Sequence, residues 1–286
     1  MYPQKNAYLQ SLFWLLLGIL SSCFNDVVTK YVTTGLTICQ VCFFRFIFGS
    51  LVLVPIIMYS SNDHLFRTKR LPLHFLRGLF LAIAMSLYSY GLTQVKMSTV
   101  TIIGFANPIF VLILASIFLK EQVAWPIWVA TCLAFMGIAF IVRPAIVNYN
   151  TPLLACVLAT VVFALLDIIN KKYITHEPIL SVIFFSNLFA SLCIFPVAWY
   201  DWQIPTLPQL CVLGVLGIGS NLILYFLLRA FALSDISVLA PLRYIELVVS
   251  MVFGYLFFDE WPTLDTCLGA MVIIACSCFV TYYQNR

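Results

Sequence analysis

Apolar runs separated by short polar breaks fill the chain from end to end, covering 8–30, 37–59, 72–94, 97–119, 124–142, 151–171, 179–200, 207–230, 235–258 and 263–283. A helix of about 20 apolar residues crosses the hydrocarbon core of a bilayer. The pattern therefore predicts an all-α polytopic membrane protein of ten transmembrane helices. The breaks at 93–98 and 234–237 are the shallowest. Pro72, Pro126, Pro152, Pro178, Pro208 and Pro262 fall near the starts of runs, where a missing N–H costs nothing. Tyr59, Trp125, Trp199, Trp202 and Trp261 stand where interfacial anchors belong. The first run continues into Asn25 and Asp26 without a small-residue cleavage pattern, so it reads as a retained first helix and not a signal peptide.

The two halves repeat. At an offset of 141, Asp26 falls on Asp167, Lys30 on Lys171, Phe44 on Phe185, Pro55 on Pro196, Tyr59 on Tyr200 and Leu92 on Leu233. The offset then slips to 139, where Leu119-Lys120-Glu121 meets Phe258-Asp259-Glu260, and to 136, where Trp125-Pro126 meets Trp261-Pro262. The expected division is a five-helix repeat at 1–145 and another at 146–286. Five is odd, so the second copy enters the membrane upside down, and inverted repeats of this kind are a transporter architecture with the site near the midplane.

Composition fits a lipid environment: 63% of the 286 residues are apolar and 9% charged, where a soluble domain carries about 25% charged residues. The net charge of +4 is scattered over short loops, which implies no nucleic-acid partner. With the N-terminus in the cytoplasm, the inner side holds Lys5, Arg67, Lys69, Arg70, Arg77, Lys120, Lys171, Lys172, Arg229 and Arg286, and the outer side Lys30, Lys96 and Arg143. Ten against three places both termini inside. No loop exceeds about a dozen residues, which leaves no extramembrane domain for an enzyme. Of the ten cysteines, Cys39 and Cys42 form the one C-x-x-C, at the start of an apolar helix, and read as packing. His64, His74 and His176 stand singly near loops. No metal or cofactor is expected.

Ionisable groups inside spans cost roughly 2.5–3.5 kcal/mol each, so they call for a function. The candidates for substrate binding or gating are Asp26, Arg45, Asp167, Arg243 and Glu246, with Asn107, Asn221 and Tyr244 as polar neighbours. Asp26 with Lys30 and Asp167 with Lys171 are spaced for ion pairs on one helix face. They read either as structural pairs or as gates that open and close. Arg243 and Glu246 also share a face; they either pair with each other or answer the carboxylate and ammonium of an amino-acid head. Asn107-Pro108 and Gly217-x-Gly219-Ser220-Asn221 suggest backbone breaks or close helix contacts. Trp14, Tyr88, Tyr90, Phe105 and Tyr225 are aromatic candidates for lining a cavity. The five charges sum to −1, favouring a small cationic or zwitterionic substrate.

The ten spans, the two-fold repeat and the Leu-Lys-Glu and Phe-Asp-Glu ends of the fourth and ninth spans resemble the EamA group of the drug/metabolite transporters. The segments at 21–30, 43–46, 165–172, 226–231 and 240–248 are similar to the S-adenosylmethionine carriers of intracellular bacteria within that group. The resemblance implies a multi-pass inner-membrane transporter that takes up S-adenosylmethionine, with exchange for S-adenosylhomocysteine as one form of coupling. Export of amino acids, drugs or other metabolites on the same fold is the alternative.

Overall fold

The computed structural model describes residues 5–32, 36–59, 68, 70–94, 103–142, 150–173 and 177–258, with nine more between 271 and 283. Among the described residues the chain is helical, without strands. Helix α1 is Lys5–Val32, α2 Ile38–Tyr59 and α3 Leu71–Gln94. Helix α4 is Asn107–Leu114, continued by a wider turn at Ala115–Leu119, and α5 is Trp125–Val142. The second half holds α6 (Asn150–Tyr173), α7 (Ile179–Tyr200), α8 (Leu207–Leu233), α9 (Ile236–Leu239), a 3-10 segment (Ala240–Tyr244) and α10 (Ile245–Phe258). Among the described residues seven stretches are long and apolar enough to cross a membrane, and Asn107–Leu119 and Trp125–Met136 are shorter apolar helices. The expected tenth span, 263–283, falls largely outside the described residues.

Two expected spans are not continuous. Helix α4 begins at Asn107 after a turn at 105–106, with Pro108 in its first turn. The ninth span is broken by the 3-10 segment that holds Pro241. In both, proline withholds an N–H and disfavours the α conformation of the residue before it. At the 139 offset Phe105 matches Tyr244 and Asn107 matches Glu246, so the two interruptions occupy the same place in each half. The expected break at Asn107-Pro108 is present.

The halves interleave. Helix α1 packs on α8 and α3 on α6; α2 packs on α8 and α3 on α7; α4 packs on α6 and α1 on α10; and α2 packs on α7. Exchanging first-half with second-half helices reproduces this list. Small residues permit the approach. A Cβ on Gly217 would lie 2.7 Å from the Gly49 nitrogen, so α2 and α8 touch backbone to backbone. Asn221 reinforces the crossing: its Nδ2 donates to Gly49 O at 2.8 Å, and its Oδ1 accepts from Asn187 Nδ2 at 2.7 Å. Asn221, expected as a site residue, is thus committed to joining α2, α7 and α8.

Two further readings change. His74 and Arg77 belong to α3 and are fully buried, because α3 starts at Leu71 and carries both inward. His74 Nε2 lies 3.1 Å from Thr68 Oγ1 and 3.7 Å from Glu177 Oε2, with its ring against Phe185.

Candidate functional site: a chain of intramembrane charges

Helix α1 shows which way the polar face points. Leu9, Phe13, Leu20 and Phe24 are exposed and recur at helical spacing as a lipid-facing stripe. Asp26 is two residues, or about 200°, beyond Phe24, on the face shared by Tyr8, Leu15 and Ile19. Those three are shut at 1%, 2% and 4% exposure, whereas Asp26 is exposed. The interior face of α1 is therefore sealed toward its N-terminus and accessible at Asp26.

Cys23, one turn before Asp26 on the same face, directs its thiol at the Glu246 carbonyl, 3.8 Å away. This contact joins α1 to the first turn of α10. Arg45, half-buried on α2, donates from Nε to Ser220 Oγ on α8. The Ser220 hydroxyl donates in turn to Leu216 O at 2.7 Å. Tyr88, half-buried on α3, packs with Ile103, Leu153 and Cys156.

Deeper in, Asp167 is buried on α6. Its Oδ2 accepts from Arg243 Nη1 at 2.6 Å, and the same nitrogen donates to Asn107 Oδ1 at 3.0 Å. The two broken helices and α6 meet at this knot. Of the five intramembrane charges, Asp167 and Arg243 are in direct contact, Arg45 bonds Ser220, and the Cys23 thiol ties the α1 turn before Asp26 to the α10 turn that carries Glu246. Phe105 packs on Tyr244, centroids 6.4 Å apart, beside the knot. Trp14 and Tyr225 pack edge to face at 6.2 Å, about 18 Å along α1 from Asp26, and Tyr225 also carries Arg229 over its ring. Tyr90 is exposed.

Two expected local pairs are overturned. Asp167 pairs with Arg243, and Lys171 instead donates to Phe231 O at 2.7 Å and Ser234 O at 2.5 Å. A lysine stem reaches the carbonyls ending α8, where a cation meets the negative end of the helix dipole. Arg243 likewise takes Asp167 and not Glu246. The side chain of Lys30, expected beside Asp26, lies outside the described residues.

Glu121 has a role that the spacing did not reveal. Lys120 ends the wide turn in a left-handed conformation, φ 54°, and turns Glu121 toward α9. Its two carboxylate oxygens accept from Ile236 N at 3.3 Å and Ser237 N at 3.0 Å. The first half thereby caps a helix of the second at the sealed end. Glu121→Ala leaves those N–H groups without their acceptor. It is expected to lower stability in detergent by about 1 kcal/mol, read as a fall in melting temperature; an unchanged melt would remove the capping role.

The EamA-like transporter family model matches the chain twice, over residues 9–143 and 150–282. The chain belongs to the EamA-like transporter family. This family member is 41% identical to the S-adenosylmethionine uptake transporter of Rickettsia conorii over 98% of its length and 95% of that protein. It is 26% identical to the pseudopaline exporter of Pseudomonas aeruginosa over 92% of its length and 94% of that protein. It is also 24% identical to the riboflavin transporter of Vibrio cholerae over 99% of its length and 96% of that protein. A solved crystal structure matches the fold with a TM-score of 0.82 at 13% identity, covering 96% of this chain and 97% of the other. The protein is a membrane transporter, not an enzyme.

Proposed function

We propose that the protein takes up S-adenosylmethionine across the bacterial inner membrane by alternating access, as two inverted repeats, 1–145 and 146–286, with both termini cytoplasmic. The observation that carries the substrate is the 41% identity across nearly the whole chain to a transporter named for that metabolite. The exchange-symmetric packing of the two halves and their matching helix breaks support the inversion, since two near-equivalent halves can rock between states of similar energy.

With the N-terminus inside, the sealed end is cytoplasmic and the accessible end at Asp26 faces out. Tyr8, Leu15 and Ile19 close the inner path, and Glu121 and Lys171 hold it. The Asp167–Arg243–Asn107 knot is the inner gate, positioned to part when the protein opens inward. A net charge of −1 over the five intramembrane charges suits a substrate with one net positive charge.

Labelled S-adenosylmethionine in vesicles tests this directly. The expected result is saturable uptake, accelerated by S-adenosylhomocysteine trapped inside and insensitive to a proton uncoupler. Uptake no greater than in vesicles lacking the protein would overturn the reading.

A further inference from the structure

At the sealed end, cations from the two halves of the chain converge on one ring. Arg70 stands just before α3, where its carbonyl accepts from Leu73 N at 2.9 Å and His74 N at 3.2 Å. Its side chain crosses to the end of α6, with the guanidinium carbon 5.6 Å from the centroid of the Tyr173 ring. The ammonium of Lys172, an exposed residue, lies 5.8 Å from the same centroid. An aromatic face attracts each cation, but it carries no net charge and neutralises neither.

No carboxylate does so either. Among the described residues neither Arg70 nor Lys172 is in an ion pair. The acid at this corner is Glu177, whose side chain is 9% exposed. Its Oε1 accepts from Thr68 Oγ1 at 3.0 Å, and its Oε2 lies 3.7 Å from His74 Nε2. Both oxygens are thus engaged by the start of α3. Two turns into that helix, Arg77 is fully buried, and none of its three guanidinium nitrogens has a hydrogen-bond partner among the described residues. Arg70, Arg77 and Lys172 therefore outweigh Glu177, and Arg70 and Lys172 carry the excess to the accessible edge. Beside them Leu71 and Phe75, one turn apart on α3, are exposed and face lipid. A free anion would meet only the cations, whereas a phospholipid meets the cations and the apolar stripe together. Basic pockets between helix ends recognise anionic headgroups in this way.

We propose that Arg70 and Lys172, set over the Tyr173 ring, bind the phosphodiester headgroup of an anionic phospholipid whose acyl chains lie on Leu71 and Phe75. Arg70 belongs to the first half and Lys172 to the second, so the bound lipid bridges α3 and α6. The site depends on this end lying at a bilayer surface and not on which substrate is carried.

The purified full chain, offered equal amounts of phosphatidylglycerol and phosphatidylcholine, tests the site, with retained lipid counted by native mass spectrometry. Wild type is expected to prefer the anionic lipid by about 20-fold, and Arg70→Gln and Lys172→Gln each to lower that preference by about fivefold. Lys172 is exposed, so its variant keeps the test open if Arg70→Gln disturbs the start of α3. Tyr173→Leu, which alters no charge, should lower the preference as well. Arg229 is the control: it is an exposed cation over the Tyr225 ring, near the end of α8, and Arg229→Gln should leave the preference unchanged. Inorganic phosphate should neither displace the retained lipid nor raise the melting temperature. An Arg229→Gln loss equal to that of Lys172→Gln would mean bulk surface charge and overturn the site. Phosphate stabilising the protein as well as phosphatidylglycerol does would mean a site for free anions and overturn the lipid assignment. Neither result touches the uptake reading, which labelled uptake tests separately.

Discussion

Arg243→Ala is expected to abolish uptake and to damage assembly, whereas removing both charges, as Asp167→Asn with Arg243→Gln, restores assembly without restoring transport. The single change leaves Asp167, buried at 10% side-chain exposure, without the cation 2.6 Å from its carboxylate. Breaking one side of a buried pair costs about 3–5 kcal/mol, while replacing both partners with neutral groups is far cheaper. That cost corresponds to a loss of more than about 100-fold in the population of the intact closed state. Asn107 loses its donor in the same step, so the two broken helices are no longer tied at their break. Fluorescence-detected size exclusion separates assembly from transport: the single variant should aggregate or elute broadly, the double variant as a symmetric peak. Labelled uptake should be at background for both. A monodisperse Arg243→Ala protein with wild-type uptake would show that the knot is neither structural nor a gate.

The partners in this knot explain where sequence reading succeeds and where it stops. Intramembrane charges are legible because an apolar run makes each one conspicuous and expensive, and two of them, Asp167 and Arg243, meet in one contact. Their partners are not legible. Helical spacing offers Asp167 the lysine four residues on, yet the structure gives it an arginine 76 residues away. Local spacing says which groups can meet, and tertiary packing decides which do. Lys171 has a flexible stem that reaches carbonyls at the end of α8, so a better site for its charge exists elsewhere. In the sequence Ser220 is one member of a glycine-containing segment. A lone serine in an apolar helix usually bonds its own backbone, as Ser220 does to Leu216, and only the three-dimensional approach of Arg45 gives it a second task. Glu121 was visible as the end of a repeated motif, but nothing in its spacing points to the N–H groups of Ile236 and Ser237. The helix breaks were half legible: Asn107-Pro108 stands out, whereas Pro241 was read within a continuous span.

Gly78→Leu is expected to prevent folding altogether, through sterics alone. A Cβ at Gly78 would overlap the Phe189 Cβ on α7 and lie 2.8 Å from the Ala190 nitrogen and 2.9 Å from the Phe189 carbonyl carbon. Two of these three atoms are backbone and cannot rotate away. A side chain there must push α3 and α7 apart, and with them the buried faces around Cys42, Phe46, Ala190 and Ile194. Overpacking costs about 1–3 kcal/mol where side chains can yield, and here the backbone must move instead. In a bilayer, helix association depends on close van der Waals fit because lipid already satisfies apolar surface, so no hydrophobic gain offsets the separation. Gly214 is the control: among the described residues nothing lies within 4 Å of its added Cβ, and Gly214→Ala should fold normally and gain up to about 1 kcal/mol of helix propensity. Membrane-inserted yield and melting temperature of the two variants, measured side by side, test the contrast. A Gly78→Leu protein that melts like wild type would mean that α3 and α7 do not cross at Gly78.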